Sequence, residues 1–320
     1  MPQIDLNRFI SVVTLIFVTT LSSVTARAES ITVLLDWFVN PDHAPLIVAK
    51  QRGLFRQAGL DVTLIEPADP SLPPKLVAAK QADLAVSYQP ALMLDLENGL
   101  PLVRIGTLVA SPLNSLVVLA NSGIKEISDL KGKTVGFSVG GFEDALLGQM
   151  LETHGLSLSD INLVNVNFAL SPSLYTGAVD AVIGAFRNFE LNQMEIDGRE
   201  GLAFYPEEHG IPTYEELIFI AHPESAQLPK MQKFLDIIDQ ATAQILENSD
   251  GAWADFVAYK PNDLNNILNR RAWTDTIPKL AKKTRSTNPE AWDQFATFMK
   301  KRGLISEVKD SKSYLVNLQR

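Results

Sequence analysis

The stretch from Ile31 to Phe55 limits what this chain can fold into more than any other. It opens with Ile31-Thr32-Val33-Leu34-Leu35, a short apolar, β-branched run that predicts a buried strand. Asp36, Trp37, Asn40 and His43 then fall within eight residues, around Pro41, which cannot continue a strand ladder. After Pro45, Leu46-Ile47-Val48-Ala49 and Lys50-Gln51-Arg52-Gly53 predict one short helix, opened near proline and closed by glycine after basic residues. A strand that hands a ring, an amide and an imidazole to the turn before a helix puts them at the carboxyl end of a sheet, where open α/β sheets hold ligands. The other reading of the same cluster is a buried tryptophan whose polar neighbours satisfy one another in the turn.

Downstream, the same alternation recurs. Strands are predicted at Asp61–Glu66, Asp83–Tyr88, Leu102–Val109, Ser115–Ala120, Asn162–Asn167 and Leu217–Ala221, with a further one ending at Ala185. Helices are predicted at Lys75–Gln81 and Ala91–Asn98, and from the Gly140-Gly141 turn through Leu151. Alternating strands and helices imply βαβ units and a mainly parallel sheet. The run Ala79 to Ser87 parallels Tyr175 to Ala185: each reads helix, small turn, aspartate, apolar strand, polar end. Beyond Ala221 the chain reads as helices, near 228–247, 251–259, 266–282 and 289–302. Two sheet units followed by helices predict two α/β lobes with interleaved sequence. The first lobe takes 29–111 and 214–320, and the second takes 112–213. Two crossings between lobes make a hinge, and the cleft they flank can close on a ligand.

The first 28 residues are expected to lie outside the fold. Arg8 precedes an apolar run of 13 residues, Phe9 to Leu21, and Ala26-Arg27-Ala28 has the small-x-small form of a cleavage site. That is a secretory signal cut before Glu29, and it predicts a soluble periplasmic protein. The chain has no cysteine, which rules out disulfides, thiolate metal sites, cysteine nucleophiles and a lipid anchor on an N-terminal cysteine. A net charge of −9 with no basic run argues against nucleic acid as a partner.

Several segments are similar to one known family: Leu35-Asp-Trp-Phe-Val-Asn-Pro-Asp-His-Ala-Pro45 with the following Lys-Gln-Arg-Gly-Leu-Phe, Asp129-Leu-Lys-Gly-Lys-Thr-Val-Gly136, Gly177-Ala-Val-Asp-Ala and Phe186-Arg-Asn-Phe-Glu190. That family joins periplasmic proteins that bind formylaminopyrimidine, a thiamine precursor, for ABC importers with fungal enzymes that make the thiamine pyrimidine from pyridoxal phosphate and a histidine. The resemblance covers nearly all of the chain after residue 28. It implies a type II periplasmic binding protein, two hinged α/β lobes with a ligand cleft between them, and an ABC permease of the inner membrane as partner. At the place of the fungal enzyme's cofactor lysine this chain has Ser87, at that of its sacrificial histidine Ala91, and no lysine occurs from Gln81 to Ile124. A Schiff base needs an amine there, so no cofactor and no enzymatic activity are expected.

The candidate ligand-binding residues are Trp37, Asn40, His43, Tyr88, Gly140, Gly141 and Glu190. Trp37 would stack on a planar heterocycle. Asn40 and Glu190 would read its hydrogen-bonding edge, Glu190 by accepting from an exocyclic amine. His43, Tyr88 and the amides of Gly140-Gly141 would complete the enclosure. Glu143 and Asp144, just after the glycines, would repel phosphate; they can equally be ordinary acidic helix starts. Arg187 is expected to pair with Glu190 or Asp180. The four histidines lack metal-ligand spacing, and Trp253, Trp273 and Trp292 read as core. Residues alone support a small planar polar ligand; the resemblance narrows it to a thiamine-related pyrimidine. The alternatives are the pyrimidine synthase and a binding protein for a flavin, a sulfonate or nitrate.

Overall fold

The computed structural model describes residues 28–316 and 318; the expected signal segment lies outside the described residues but for Ala28. The chain builds two five-stranded sheets. Strands β1 (Glu29–Leu34), β2 (Leu60–Ile65), β3 (Leu84–Ser87) and β4 (Val103–Val109) belong to the first. Strands β5 (Asn114–Leu119), β6 (Thr134–Phe137), β7 (Asn162–Asn165), β8 (Ala181–Phe186) and β9 (Gly201–Phe204) form the second. Strand β10 (Leu217–Ala221) returns to the first sheet.

The strand orders are β2-β1-β3-β10-β4 and β7-β6-β8-β5-β9. In each sheet four strands run one way and one runs against them, β10 in the first and β5 in the second. The mainly parallel expectation holds for four strands of each sheet, and the fifth makes the sheets mixed. The reversed strand in each is the one that has just crossed from the other lobe, so it enters from the opposite end.

The internal parallel seen in the sequence has a structural cause. Asp83, just before β3, accepts the Thr32 N–H at 2.8 Å and gives its own N–H to the Thr32 carbonyl. Asp180, just before β8, repeats both bonds with Thr134, again at 2.8 Å to the side chain. Each aspartate pins a strand start to its neighbour and so sets the register of the pair.

Around the first sheet pack α1 (Ala44–Gln51), α2 (Leu54–Gln57), α3 (Pro73–Ala78) and α4 (Gln89–Glu97). Helix α1 starts at Ala44 because Asn40 caps the turn before it, accepting the Asp42 N–H at 2.8 Å, and it gives way at Gly53, whose φ of 67° glycine adopts without strain. The second sheet carries α5 (Glu143–Thr153), α6 (Leu170–Thr176) and α7 (Glu190–Ile196). After β10 come α8 (Pro223–Ala226), α9 (Pro229–Glu247), α10 (Ser249–Tyr259), α11 (Pro261–Leu264), α12 (Ile267–Thr276) and α13 (Pro289–Lys301). The helix expected over 266–282 stops at Thr276, because Pro278 has no N–H to continue it and Ile277–Lys279 tightens into a 3-10 turn. Trp273 and Trp292 are buried and Trp253 packs on the core, as expected. Among the described residues no helix is long and apolar enough to cross a membrane.

Candidate functional site

The site lies where β1, β3 and β8 end and the two sheets face each other. One chamber of about 380 Å³, open mouth included, is lined by Asp36, Trp37, Asn40, Tyr88, Glu143, Leu170, Gly184, Phe186, Phe189 and Glu190. The first four come from the first lobe and the rest from the second. Trp37, half-buried, also packs on the small apolar cluster of the second lobe that includes Leu170, Val182 and Met194. Phe168, just ahead of α6, meets Trp37 edge to face at 4.6 Å and Phe38 at 4.5 Å. These three rings bridge the lobes, Trp37 meeting both phenylalanines edge to face, as aromatic quadrupoles favour, and the two phenylalanines tilted on each other.

Asp36 anchors the first-lobe wall. The Asn40 N–H points at His43 Nδ1 at 3.3 Å, so Nδ1 accepts and His43 Nε2–H donates to Asp36 Oδ1 at 2.8 Å. The Tyr88 hydroxyl donates to Asp36 Oδ2 at 2.9 Å. His43 is thus fully buried behind Asp36 and holds the carboxylate in place. Asn40 lines the chamber, but its amide is engaged by the main chain: Oδ1 takes the Asp42 N–H and Nδ2 reaches the Phe38 carbonyl. Tyr88 stacks on Phe142 at 4.9 Å and 18°.

The second-lobe wall carries two buried carboxyls. Glu190 accepts the Phe186 N–H at 2.7 Å, and burial pushes it up from 4.5 to about 7. Glu143 accepts the Ser138 and Val139 N–H groups on one oxygen, at 2.6 and 3.1 Å, and burial drives it to about 8 against those two bonds. Its other oxygen sits over Gly184, where a Cβ would collide with it; the φ of 102° there also favours glycine. Among the described residues lining this chamber there is no lysine, arginine or histidine.

Gly140 and Gly141 face a neighbouring chamber on the other side of the Tyr88–Phe142 stack, with Ser87, Ala91 and Asp95. Of the seven residues singled out from sequence, Trp37, Asn40, Tyr88 and Glu190 line one chamber, His43 stands behind it and the two glycines line the next. The candidate ligand residues left out Glu143, which also reads as an acidic helix start, and Asp36, which stood in the cluster but whose partners lie 7 and 52 residues away. The run Asp-Trp-Phe at a strand end was the signal available for Asp36.

Arg187 corrects an expectation. It pairs with Glu207 at 2.6 Å rather than with Glu190 or Asp180, gives hydrogen bonds to the Leu113 and Asn114 carbonyls, and lies 4.0 Å from the Tyr205 ring centre. It therefore clasps both crossing segments. Both carboxyl oxygens of Glu207 are engaged by the guanidinium, at 2.6 and 3.0 Å. Next to it, Asn188 reaches across the cleft to Asp42 and Thr276, each at 2.7 Å. Among the described residues no group of three or more histidine, aspartate and glutamate side chains is placed to hold a metal ion.

Comparison with known proteins gives this geometry a context. A family model described as NMT1/THI5 like matches residues 40–252. A Haemophilus influenzae protein named for thiamine biosynthesis is 54% identical over 291 residues, 91% of this chain and 93% of that protein. The formylaminopyrimidine-binding protein of Halalkalibacterium halodurans is 36% identical over 194 residues, 61% of this chain and 59% of that one. The 4-amino-5-hydroxymethyl-2-methylpyrimidine phosphate synthase of Legionella pneumophila is 27% identical over 298 residues, 90% and 91% of the two chains. Among solved structures, the alkanesulfonate-binding protein SsuA of Xanthomonas axonopodis pv. citri matches with a TM-score of 0.70 at 17% identity, over 90% of this chain and 98% of that chain. That last likeness is one of fold: the two lobes are those of a type II periplasmic binding protein.

Proposed function

The chain belongs to the NMT1/THI5-like family, and from that premise we propose that it is a substrate-binding protein that captures a thiamine-related aminopyrimidine and delivers it to an ABC permease. The observation that carries this reading is the lining of the first chamber: rings on both lobes, the carboxyls of Asp36, Glu143 and Glu190, and no basic side chain. A flat heterocycle rich in N–H donors, or protonated, suits that wall. A sulfonate or nitrate would meet three carboxyls and no cation, at a cost in desolvation that nothing there offsets. Trp37 covers the ring face, Glu190 accepts from the exocyclic amine, and Asp36 is fixed by His43 and Tyr88 to accept from a second donor.

The second reading is the synthase, which the family membership of such enzymes favours. Pyridoxal phosphate does not fit these residues. Ser87 offers a hydroxyl where the resemblance calls for a lysine, and the acidic lining opposes a phosphate ester.

Titration calorimetry tests the proposal. Formylaminopyrimidine should bind about tenfold or more tighter than an analogue lacking the exocyclic amine, the loss expected when a buried carboxylate goes unpaired. Equal affinities would count against it, and stoichiometric borohydride trapping of pyridoxal phosphate on a lysine would restore the synthase reading. The periplasm is the proposed compartment. Since β1 begins at Glu29, removal of the segment through Ala28 leaves the sheet whole, and N-terminal sequencing of the exported protein should return Glu29.

A further inference from the structure

Two imidazoles meet on the surface of the second lobe, outside the cleft and outside anything the proposed function uses. His154 follows the last residue of α5, and His209 closes the 3-10 turn Pro206–Glu208 that comes after β9. They are 55 residues apart in sequence, so no ligand spacing links them there, yet His154 Nε2 lies 3.0 Å from His209 Nδ1. His154 is exposed and His209 half-buried. His43 is fully buried and His222 nearly so, which leaves this pair as the accessible imidazoles among the described residues.

The backbone holds the two rings together. Thr153 Oγ1 donates to the His209 carbonyl at 3.4 Å. Gly210, at a φ of 88°, passes so close to α5 that a Cβ there would lie 2.8 Å from Thr153 Cγ2. Phe204, buried at the end of β9, stands edge-on to the His209 ring at 5.9 Å and backs it. The two imidazoles are tilted by 54°, with centres 5.1 Å apart.

A neutral imidazole has one N–H and one lone pair, so one of these rings donates to the other. When the donating ring carries its proton on its other nitrogen, both facing nitrogens present lone pairs. Paired imidazole lone pairs are ligands for a transition metal. Their separation selects among ions. With metal–nitrogen bonds of about 2.0–2.1 Å, adjacent nitrogens of a square or octahedral ion stand about 2.9 Å apart, and those of a tetrahedral ion about 3.3 Å. The observed 3.0 Å matches the first case, the geometry of Cu(II) and Ni(II). Among the described residues no third histidine, aspartate or glutamate is placed to join the pair, so water would complete the coordination. Glu208, exposed and next to His209 in the chain, adds negative charge that favours a cation.

We propose that His154 and His209 form a two-histidine site for a divalent copper or nickel ion, which clips the end of α5 to the segment leading back to the first lobe. The ion binds the folded chain only, because the unfolded chain separates the two rings, and so it stabilises the fold. The site also lies beside a contact between lobes: Glu152, two residues before His154, meets Arg302 of α13 at 3.4 Å.

The probe is Cu(II) alone, titrated calorimetrically into the mature protein without an affinity tag. One ion should bind per chain, more tightly than Zn(II) does. Low-temperature electron paramagnetic resonance should show a tetragonal signal coupled to two nitrogens. His154→Gln and His209→Gln should each weaken copper by about tenfold or more, the least that even an outer partner of a metal ligand is worth, and should reduce the coupling to one nitrogen. Without metal both variants should keep the wild-type circular dichroism spectrum, and copper should raise Tm in the wild type alone. Copper bound equally well by both variants sits elsewhere, at the N-terminal amine for instance, and overturns the site. Tighter binding of Zn(II) than of Cu(II) overturns the assigned ion. The nitrogen count in the wild type stands even where a variant fails to fold: one nitrogen or none overturns the pair, as does the absence of any copper binding.

Discussion

Trp37 and Glu190 address different parts of a bound heterocycle, and substitution separates them. Trp37→Ala removes a half-buried ring and should weaken planar ligands together, by about 2 kcal/mol. Glu190→Gln should cost about 1.5–3 kcal/mol for a ligand with an exocyclic amine, and far less for one without, since the wild-type carboxyl is then already unpaired. Calorimetry on both variants with both ligands closes a double cycle; equal losses in Glu190→Gln would show that it does not read the amine. Glu143 makes a prediction about pH. Burial raises it to about 8 from an ordinary 4.5, so the folded protein binds more protons than the unfolded chain between those values. The stability this group contributes is therefore present below pH 4.5 and is lost as pH rises to about 8. The melting temperature of the ligand-free protein should fall across that window, with Glu190 adding to the decline from 4.5 up to about pH 7. Glu143→Gln should make the decline shallower, and an unchanged slope would assign it elsewhere. Local chemistry made Trp37, Tyr88 and Glu190 legible from sequence, because each stands at or just past a strand end. It could not reveal Glu143, whose role depends on Gly184, 41 residues on, leaving room for it.

At the scale of elements, the strap from Phe186 to Glu190 works residue by residue. Phe186, Phe189 and Glu190 line the chamber, Arg187 clasps the crossings, and Asn188 ties the second lobe to Asp42 and to Thr276 at the end of α12. Asn192 to Asp275 at 2.7 Å and Arg271 to Glu195 at 3.0 Å extend that seam between α7 and α12. Asn188→Ala leaves the Asp42 carboxyl, already raised to about 6 by burial, with fewer donors. It should cost the closed form about 1–3 kcal/mol, seen as faster release of formylaminopyrimidine in stopped-flow measurements; an unchanged rate would place the seam outside closure. Strand and helix alternation was legible because apolar runs between glycines and prolines are a local signal. The seam was not, since its partners are 146 and 88 residues apart. Strand β9 escaped notice for a related reason: as a half-exposed edge strand of four residues it carries little apolar pattern.

For the whole molecule, the two crossings sit side by side. Glu216, on the return segment, accepts the Leu113 and Asn114 N–H groups on the outgoing one, and Arg187 grips both. Segments joined in this way are expected to turn as one axis, so that opening would be a single rotation. Small-angle scattering should give a smaller radius of gyration with saturating formylaminopyrimidine than without it; superimposable profiles would argue against closure. Strand β10 has a consequence of another kind. The second sheet is built from one unbroken stretch, residues 114–204, while β4 joins the first sheet only by pairing with β10. Non-local pairing forms late, after the entropy of closing the intervening loop has been met. A chain emerging from its N-terminus can therefore finish its second lobe first, while β3 and β4 wait with unpaired edges for residues 217–221. In that interval the protein is half assembled and open to pairing with other chains, so the time the return strand takes to arrive sets how long the chain needs shelter.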